Sequence, residues 1–312
     1  MSNSWRSAGH ILGYHRAMES RPEANSDAQL NMAVCDRPLF AFVHIEKAAG
    51  TSLIHVLRRA FFLRYFDVTP VYPGPHKFLK AKDLRALLKV YPFTRCIGGH
   101  SVVPFSDLDS AFPNMRYITL FREPCARYVS QYIYWRDRQG WEISFEEFLE
   151  RKDAQNVQTK RIVGRSWPDQ AIEKLEERFA LVGTVEEFPG FLAALERETG
   201  RSGLASLVMR RNVSARTDEA QELLERYRDR ILEANYADLP VYEHVRNKLA
   251  PSLDAEAVSE QPAAASRSPS RDWRLLTDYM LRKLWLQPAT GMLRRSNGLG
   301  ARGNYGRVEK GD

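Results

Sequence analysis

Residues 39–59 read LFAFVHIEKAAGTSLIHVLRR, and their order decides the class of fold to expect. The run 39–45 is compact and largely apolar, with Pro38 before it and a charged pair after it. That is the pattern of a buried strand. From 51 to 60 the spacing turns helical: Leu53, Ile54 and Leu57 share a face, while Arg58 and Arg59 lie off it. The link between the two is Glu46-Lys47-Ala48-Ala49-Gly50-Thr51-Ser52. Ala48, Ala49 and Gly50 are small enough for backbone to approach a ligand closely, and Thr51 or Ser52 can cap the helix or donate to a phosphate oxygen. Helix N-termini favour anions, and Lys47 adds a full positive charge. The stretch therefore reads as a phosphate cradle. It is not the Walker form, because Lys47 comes three residues before Gly50 instead of directly after it. An ordinary strand–turn–helix junction with a solvated lysine explains the same residues equally well.

A second stretch separates these readings. Residues 118–134 read ITLFREPCARYVSQYIY: a strand, then Arg122-Glu123-Pro124, then a helix with Pro124 in its first turn. At the strand end, Arg122 can bind a phosphate with two parallel bonds, and Ser130, two turns along the helix, can add a hydroxyl. Taken singly, Arg122 paired to a carboxylate and Ser130 as a small helix residue would be the plainer account.

Around these stretches the chain alternates strand and helix. Strands are expected within 61–71, at 94–97, 116–121 and 180–185. Helices are expected at 80–91, 125–136, 144–151 capped by Ser144, 169–179, 186–199, 217–234 and 239–249. Such alternation specifies an α/β fold, a parallel central sheet with helices on both faces, of P-loop-like type. Ligands of such sheets sit beyond the carboxyl ends of the strands. Lys47, His100 and Arg122 each follow an expected strand, so one crevice can collect all three.

The 312 residues allow one large domain with appendages. Residues 1–37 read as a flexible leader, 38–250 as the α/β domain, 251–271 as a linker and 272–312 as a basic tail. The formal charge of +7 favours an acidic ligand, an anionic membrane or nucleic acid. Three widely spaced cysteines without a CxxC argue against a disulfide framework or a zinc site. With no long apolar run and no signal-peptide core, a cytoplasmic location is expected. The tail, 266–312, carries ten Lys and Arg against four Asp and Glu. Within it, 273–286 (WRLLTDYMLRKLWL) places Trp273, Leu276, Met280 and Leu284 on one face. This helix can dock on its own domain or a partner, or lie on an anionic membrane.

The two stretches together resemble the sulfotransferases, in the branch of the heparan sulfate 2-O- and 6-O-sulfotransferases and their bacterial relatives. His44 to Ser52 is similar to that family's 5′-phosphosulfate loop. Arg122-Glu123-Pro124 with Arg127, Ser130 and Tyr132 is similar to its 3′-phosphate motif. Further echoes occur at Gly99-His100, at Asn156 to Lys160, at Val182-Gly183 with Glu186, and from Asp238 to Glu243, all in the family's order. The chain departs from the pattern where Glu46 replaces proline and Ala48 and Ala49 replace Thr and Gly. The charge of Glu46 would sit beside the anion site.

The resemblance implies 3′-phosphoadenosine 5′-phosphosulfate (PAPS) as sulfuryl donor, no metal, and a hydroxyl-bearing acceptor, expected to be a saccharide and not nucleic acid. It assigns the 5′-phosphate to Lys47, Ala49, Gly50, Thr51 and Ser52, and the 3′-phosphate to Arg122 and Ser130. It makes Lys47 and His100 catalytic, with His100 the base. Asn156, Gln158 and Lys160 lie in a region where the family contacts substrate or nucleotide, and His76 or Lys77 in the Pro-rich loop can instead meet the acceptor. Two alternatives stand beside this reading. One is a nucleotide-binding or membrane-associated adaptor that keeps the fold without turnover; the other is a P-loop kinase, for which the Gly-Lys-Ser/Thr loop is missing.

Overall fold

The computed structural model describes residues 38–73, 77–204, 218–250 and 280–299. The leader, His76, the linker and the 273–279 part of the tail helix lie outside the described residues.

Five strands form one parallel sheet: β1 (Leu39–Val43), β2 (Tyr65–Asp67), β3 (Cys96–Gly99), β4 (Met115–Phe121) and β5 (Phe179–Thr184), in the order β2-β3-β1-β4-β5. All five residues of β1 are buried, as a central parallel strand covered on both faces requires. Side chains alternate between two cores. Leu39, Ala41 and Val43 join Phe66, Ile97, Tyr117, Phe121 and Val182 on one face. Phe40 and Phe42 join Tyr65, Cys96, Ile118, Leu120 and Leu181 on the other. This is the period of two expressed on both sides of one sheet.

Helix α1 (Gly50–Phe61) covers the second face through Leu53, Val56 and Leu57. The first face takes α2 (Ala81–Val90), while the four-residue α3 (Leu108–Ala111) precedes β4. After β4 come α4 (Pro124–Gln139) and α5 (Phe145–Leu149), the latter held by a capping box between Ser144 and Glu147. Next are α6 (Val157–Val163) and α7 (Pro168–Arg178) before β5, then α8 (Phe188–Thr199) after it. Helix α9 (Asp218–Ala234) packs on α4 and α5 through Tyr227 and Ile231, making a third cluster beside the sheet. Helix α10 (Asp238–His244) runs into a widened turn at Val245–Leu249.

The expected strands and longer helices are present, with shifted ends. β1 stops at Val43, so the loop before α1 is longer than the apolar run suggested. Helices α3 and α6 were not expected, and neither was α11 (Gln287–Ser296). The described part of the tail is docked on the domain: Leu286 is buried in the first core, and the Arg294 guanidinium donates to the Pro70 carbonyl. Asn297 Nδ2 donates to the Val71 carbonyl at 3.0 Å. Among the described residues, no helix is long and apolar enough to cross a membrane.

The order of strands fixes where a site can form. From β1 the chain moves outward to β2, returns to β3, and then crosses β1 to reach β4. The loops after β1 and β4 thus leave neighbouring strands in different directions, the arrangement in which such sheets bind ligands beyond their carboxyl ends. Thr119 ties the two strands there, its hydroxyl donating to the Val43 carbonyl at 2.9 Å.

Candidate functional site

The loop after β1 is built on two left-handed residues that are not glycine, Lys47 (φ 66°) and Ala49 (φ 54°). Such conformations cost free energy and cluster at functional loops. No side chain caps α1, so the first-turn N–H groups at Gly50 and Thr51 face the mouth of the loop. Gly50 has a steric role. A Cβ there would lie 1.9 Å from His44 Nε2, so glycine is what lets the imidazole lie flat against the start of the helix.

Arg122 reaches across from the end of β4 and donates Nη1–H to the Lys47 carbonyl at 3.2 Å. The two arms read from separate stretches of sequence therefore touch. The Lys47 ammonium lies over the ring of Tyr134, 4.3 Å from its centroid. Tyr134 and the half-buried Ser130 are one turn apart on α4, which puts both on the flank that Lys47 approaches. Burial, then the charges of Arg122 and Arg138, hold the Lys47 pKa below its ordinary value. Three cations thus share one field, and their mutual repulsion favours an anion between them.

His100 follows Gly99, whose φ of 139° turns the chain out of β3. Its ring stacks on His44 at 4.1 Å between centroids, and His44 stacks in turn on Phe42 at 5.4 Å. Glu46 Oε1 lies 3.2 Å from His100 Nδ1. Arg161 on α6 pairs with the same Glu46 carboxylate and donates to the His100 carbonyl at 2.9 Å. Burial opposes the Glu46 charge, yet Arg161 and His100 hold its pKa well below the usual carboxylate range. The negative charge expected beside the anion site is therefore neutralised by Arg161 and directed at His100. Burial, with help from His100, pulls the His44 pKa down to about 3, so that ring is neutral.

Three residues expected to contact substrate or nucleotide make hydrogen bonds within the protein. Gln158 is fully buried; its Oε1 accepts from the Arg122 N–H at 3.0 Å and its Nε2 donates to the Arg122 carbonyl at 2.9 Å. Asn156, also buried, receives the Ala237 N–H on its side-chain oxygen at 2.9 Å. Lys160 donates to the carbonyls of Lys152 and Gln155. Asn156 thus satisfies backbone at the α9–α10 junction, Gln158 at the end of β4 and Lys160 in the loop before α6. Asp238, buried, anchors the start of α6 by accepting from the N–H groups of Gln158 and Thr159. Burial raises its pKa, against the pull of Arg127. Arg127 lies completely inside, with Nη2 donating to the Ala154 carbonyl at 3.1 Å while Nε and Nη1 find no hydrogen-bond partner among the described residues. Lys77 is exposed in the loop after β2.

Sequence reading missed Glu46 as the partner of His100, and it missed Arg161, Tyr134 and Arg138 altogether. Arg161 sits on a seven-residue helix without side-chain capping, too short for a clear periodic signal. No protein-family model matches the chain, and no curated protein matches it.

Proposed function

We propose that this protein is a sulfotransferase that moves the sulfuryl group of PAPS to a hydroxyl of an acceptor, a saccharide by the resemblance of its motifs. The observation that carries the reading is the direct contact between the Lys47 loop and Arg122, with His100 held by Glu46 beside the same loop. A nucleotide with phosphates on both sides of its ribose needs two cationic grips on one crevice, and a hydroxyl acceptor needs a base.

The residues divide the work as follows. The N–H groups at Gly50 and Thr51, with the hydroxyls of Thr51 and Ser52, hold the 5′-phosphate. Arg122 and Ser130 hold the 3′-phosphate. Lys47 neutralises charge that grows on the leaving phosphate oxygen. His100 Nε2 takes the proton of the acceptor hydroxyl as its oxygen bonds to sulfur and the sulfur–oxygen bond to the 5′-phosphate breaks. The products are a sulfate ester and adenosine 3′,5′-bisphosphate. Glu46 at Nδ1 fixes the tautomer that leaves Nε2 basic and stabilises the imidazolium that forms. Catalysis rests on positioning and charge, as in phosphoryl transfer. The adaptor reading draws on the charge of Glu46, the altered loop and the amphipathic tail; the pairing of Glu46 with Arg161 bears on the first of these.

The test is transfer of radiolabel from the donor to a panel of glycans. Wild-type protein is expected to label at least one acceptor. His100→Ala should keep bisphosphate binding but lose turnover, and Lys47→Ala should sharply lower transfer. Nucleotide binding without transfer to any acceptor would favour the adaptor, and full activity in His100→Ala would overturn the base assignment.

A further inference from the structure

A helix lying on a domain normally turns polar side chains outward. The segment 280–296 exposes large apolar side chains among its polar ones. Its inner side is anchored by buried Leu286, Gly291 and Arg294. Its outer side carries Met280, Leu284, Trp285 and Met292, which are 50%, 67%, 57% and 65% exposed. Four large apolar side chains facing outward on one short segment mark an interaction surface.

Charge selects the occupant. Between 280 and 299 the chain has Arg282, Lys283, Arg294 and Arg295 and no acidic residue. Lys283 and Arg295 are exposed beside the apolar group. Apolar side chains that include a tryptophan, flanked by cations alone, match the boundary between acyl chains and anionic headgroups. We infer that this face docks the protein on an anionic lipid surface, with Leu284 and Trp285 entering the acyl boundary and Lys283 and Arg295 meeting the headgroups. The face also has a fixed orientation. Arg294 and Asn297 grip the carbonyls of Pro70 and Val71, in the loop that leaves the carboxyl end of β2. The inference stands independently of the sulfotransferase reading.

The experiment is co-flotation of the full chain with vesicles of phosphatidylcholine alone or mixed with phosphatidylglycerol, at low and high salt. Wild-type protein should float with the anionic vesicles, and added salt should release part of it. Leu284→Glu with Trp285→Glu should lower that partition about tenfold, as should Met292→Glu to a smaller degree, because each places a charge in the acyl boundary. These side chains are exposed, so the fold should persist, which circular dichroism checks. Equal flotation of variants and wild type, or none by wild type, would overturn the inference. So would a concentration-dependent dimer in sedimentation that the same substitutions abolish, since the face would then belong to a second copy.

Discussion

Gln158 shows how a buried residue can govern a site without reaching the ligand. Both ends of its amide are bound to the backbone of Arg122, so it sets the direction in which that residue leaves β4. Gln158→Leu should lower affinity for adenosine 3′,5′-bisphosphate about tenfold, on the order of 1.4 kcal/mol, while leaving adenosine 5′-monophosphate binding unchanged. Titration calorimetry reads both, and an equal loss for the two nucleotides would show that Gln158 does not act through Arg122. His44 offers a test by pH. Its folded pKa is about 3 against an ordinary 6.5, so below 6.5 the unfolded chain takes a proton that the fold refuses. Stability should fall between pH 6.5 and 3, by up to about 1.4 kcal/mol per pH unit from this group. Urea unfolding of wild type and His44→Phe across that range isolates the effect, because His100, Glu46 and Arg161, the charged and titratable groups facing it, are retained. Parallel pH curves would contradict the assignment. At this scale the sequence was half legible. Lys47 and Arg122 stood out because each lies between an apolar run and a helix. Gln158 and Glu46 act through partners 36 and 54 residues away in the chain, Arg122 and His100, and local patterns cannot show such pairings.

Among the elements, the junction of β1 and α1 is the one most tightly specified. The His44 ring is stacked between Phe42 and His100 and lies where the Cβ of any residue but glycine would fall at position 50. Gly50→Ala must displace that ring, and the expected cost is about 1–3 kcal/mol, typical of overpacking a filled interior. A lower urea midpoint would show it, and an unchanged midpoint would mean that the ring can move freely. The junction was readable because strand, small-residue loop and helix have distinct periods. Helix α6 was not. The residue that precedes it, Asn156, is left-handed (φ 52°) and caps it with no side-chain bond, so its start is determined by buried bonds to Asn235 and Asp238. Tertiary contacts, more than local propensity, hold such an element in place.

For the molecule as a whole, alternating strands and helices made a parallel sheet legible, but not the order β2-β3-β1-β4-β5, which depends on pairings between distant strands. The tail was read as a separate region because its charge and the linker before it set it apart. Its buried contacts are instead scattered single residues: Leu286, Arg294 and Asn297. Deleting the chain after Ser270 should therefore lower the melting temperature by several degrees, since burial of one leucine alone is worth about 1.5–3 kcal/mol. An unchanged melting temperature would show that the docked segment adds nothing to stability. The central claim is that one crevice holds a nucleotide by both of its phosphates. Calorimetric titration of the full chain with adenosine 3′,5′-bisphosphate and with adenosine 5′-monophosphate tests it directly. The account predicts at least tenfold tighter binding of the bisphosphate, with the preference abolished by Arg122→Ala. Equal affinity for the two nucleotides, or a preference that survives Arg122→Ala, would contradict it.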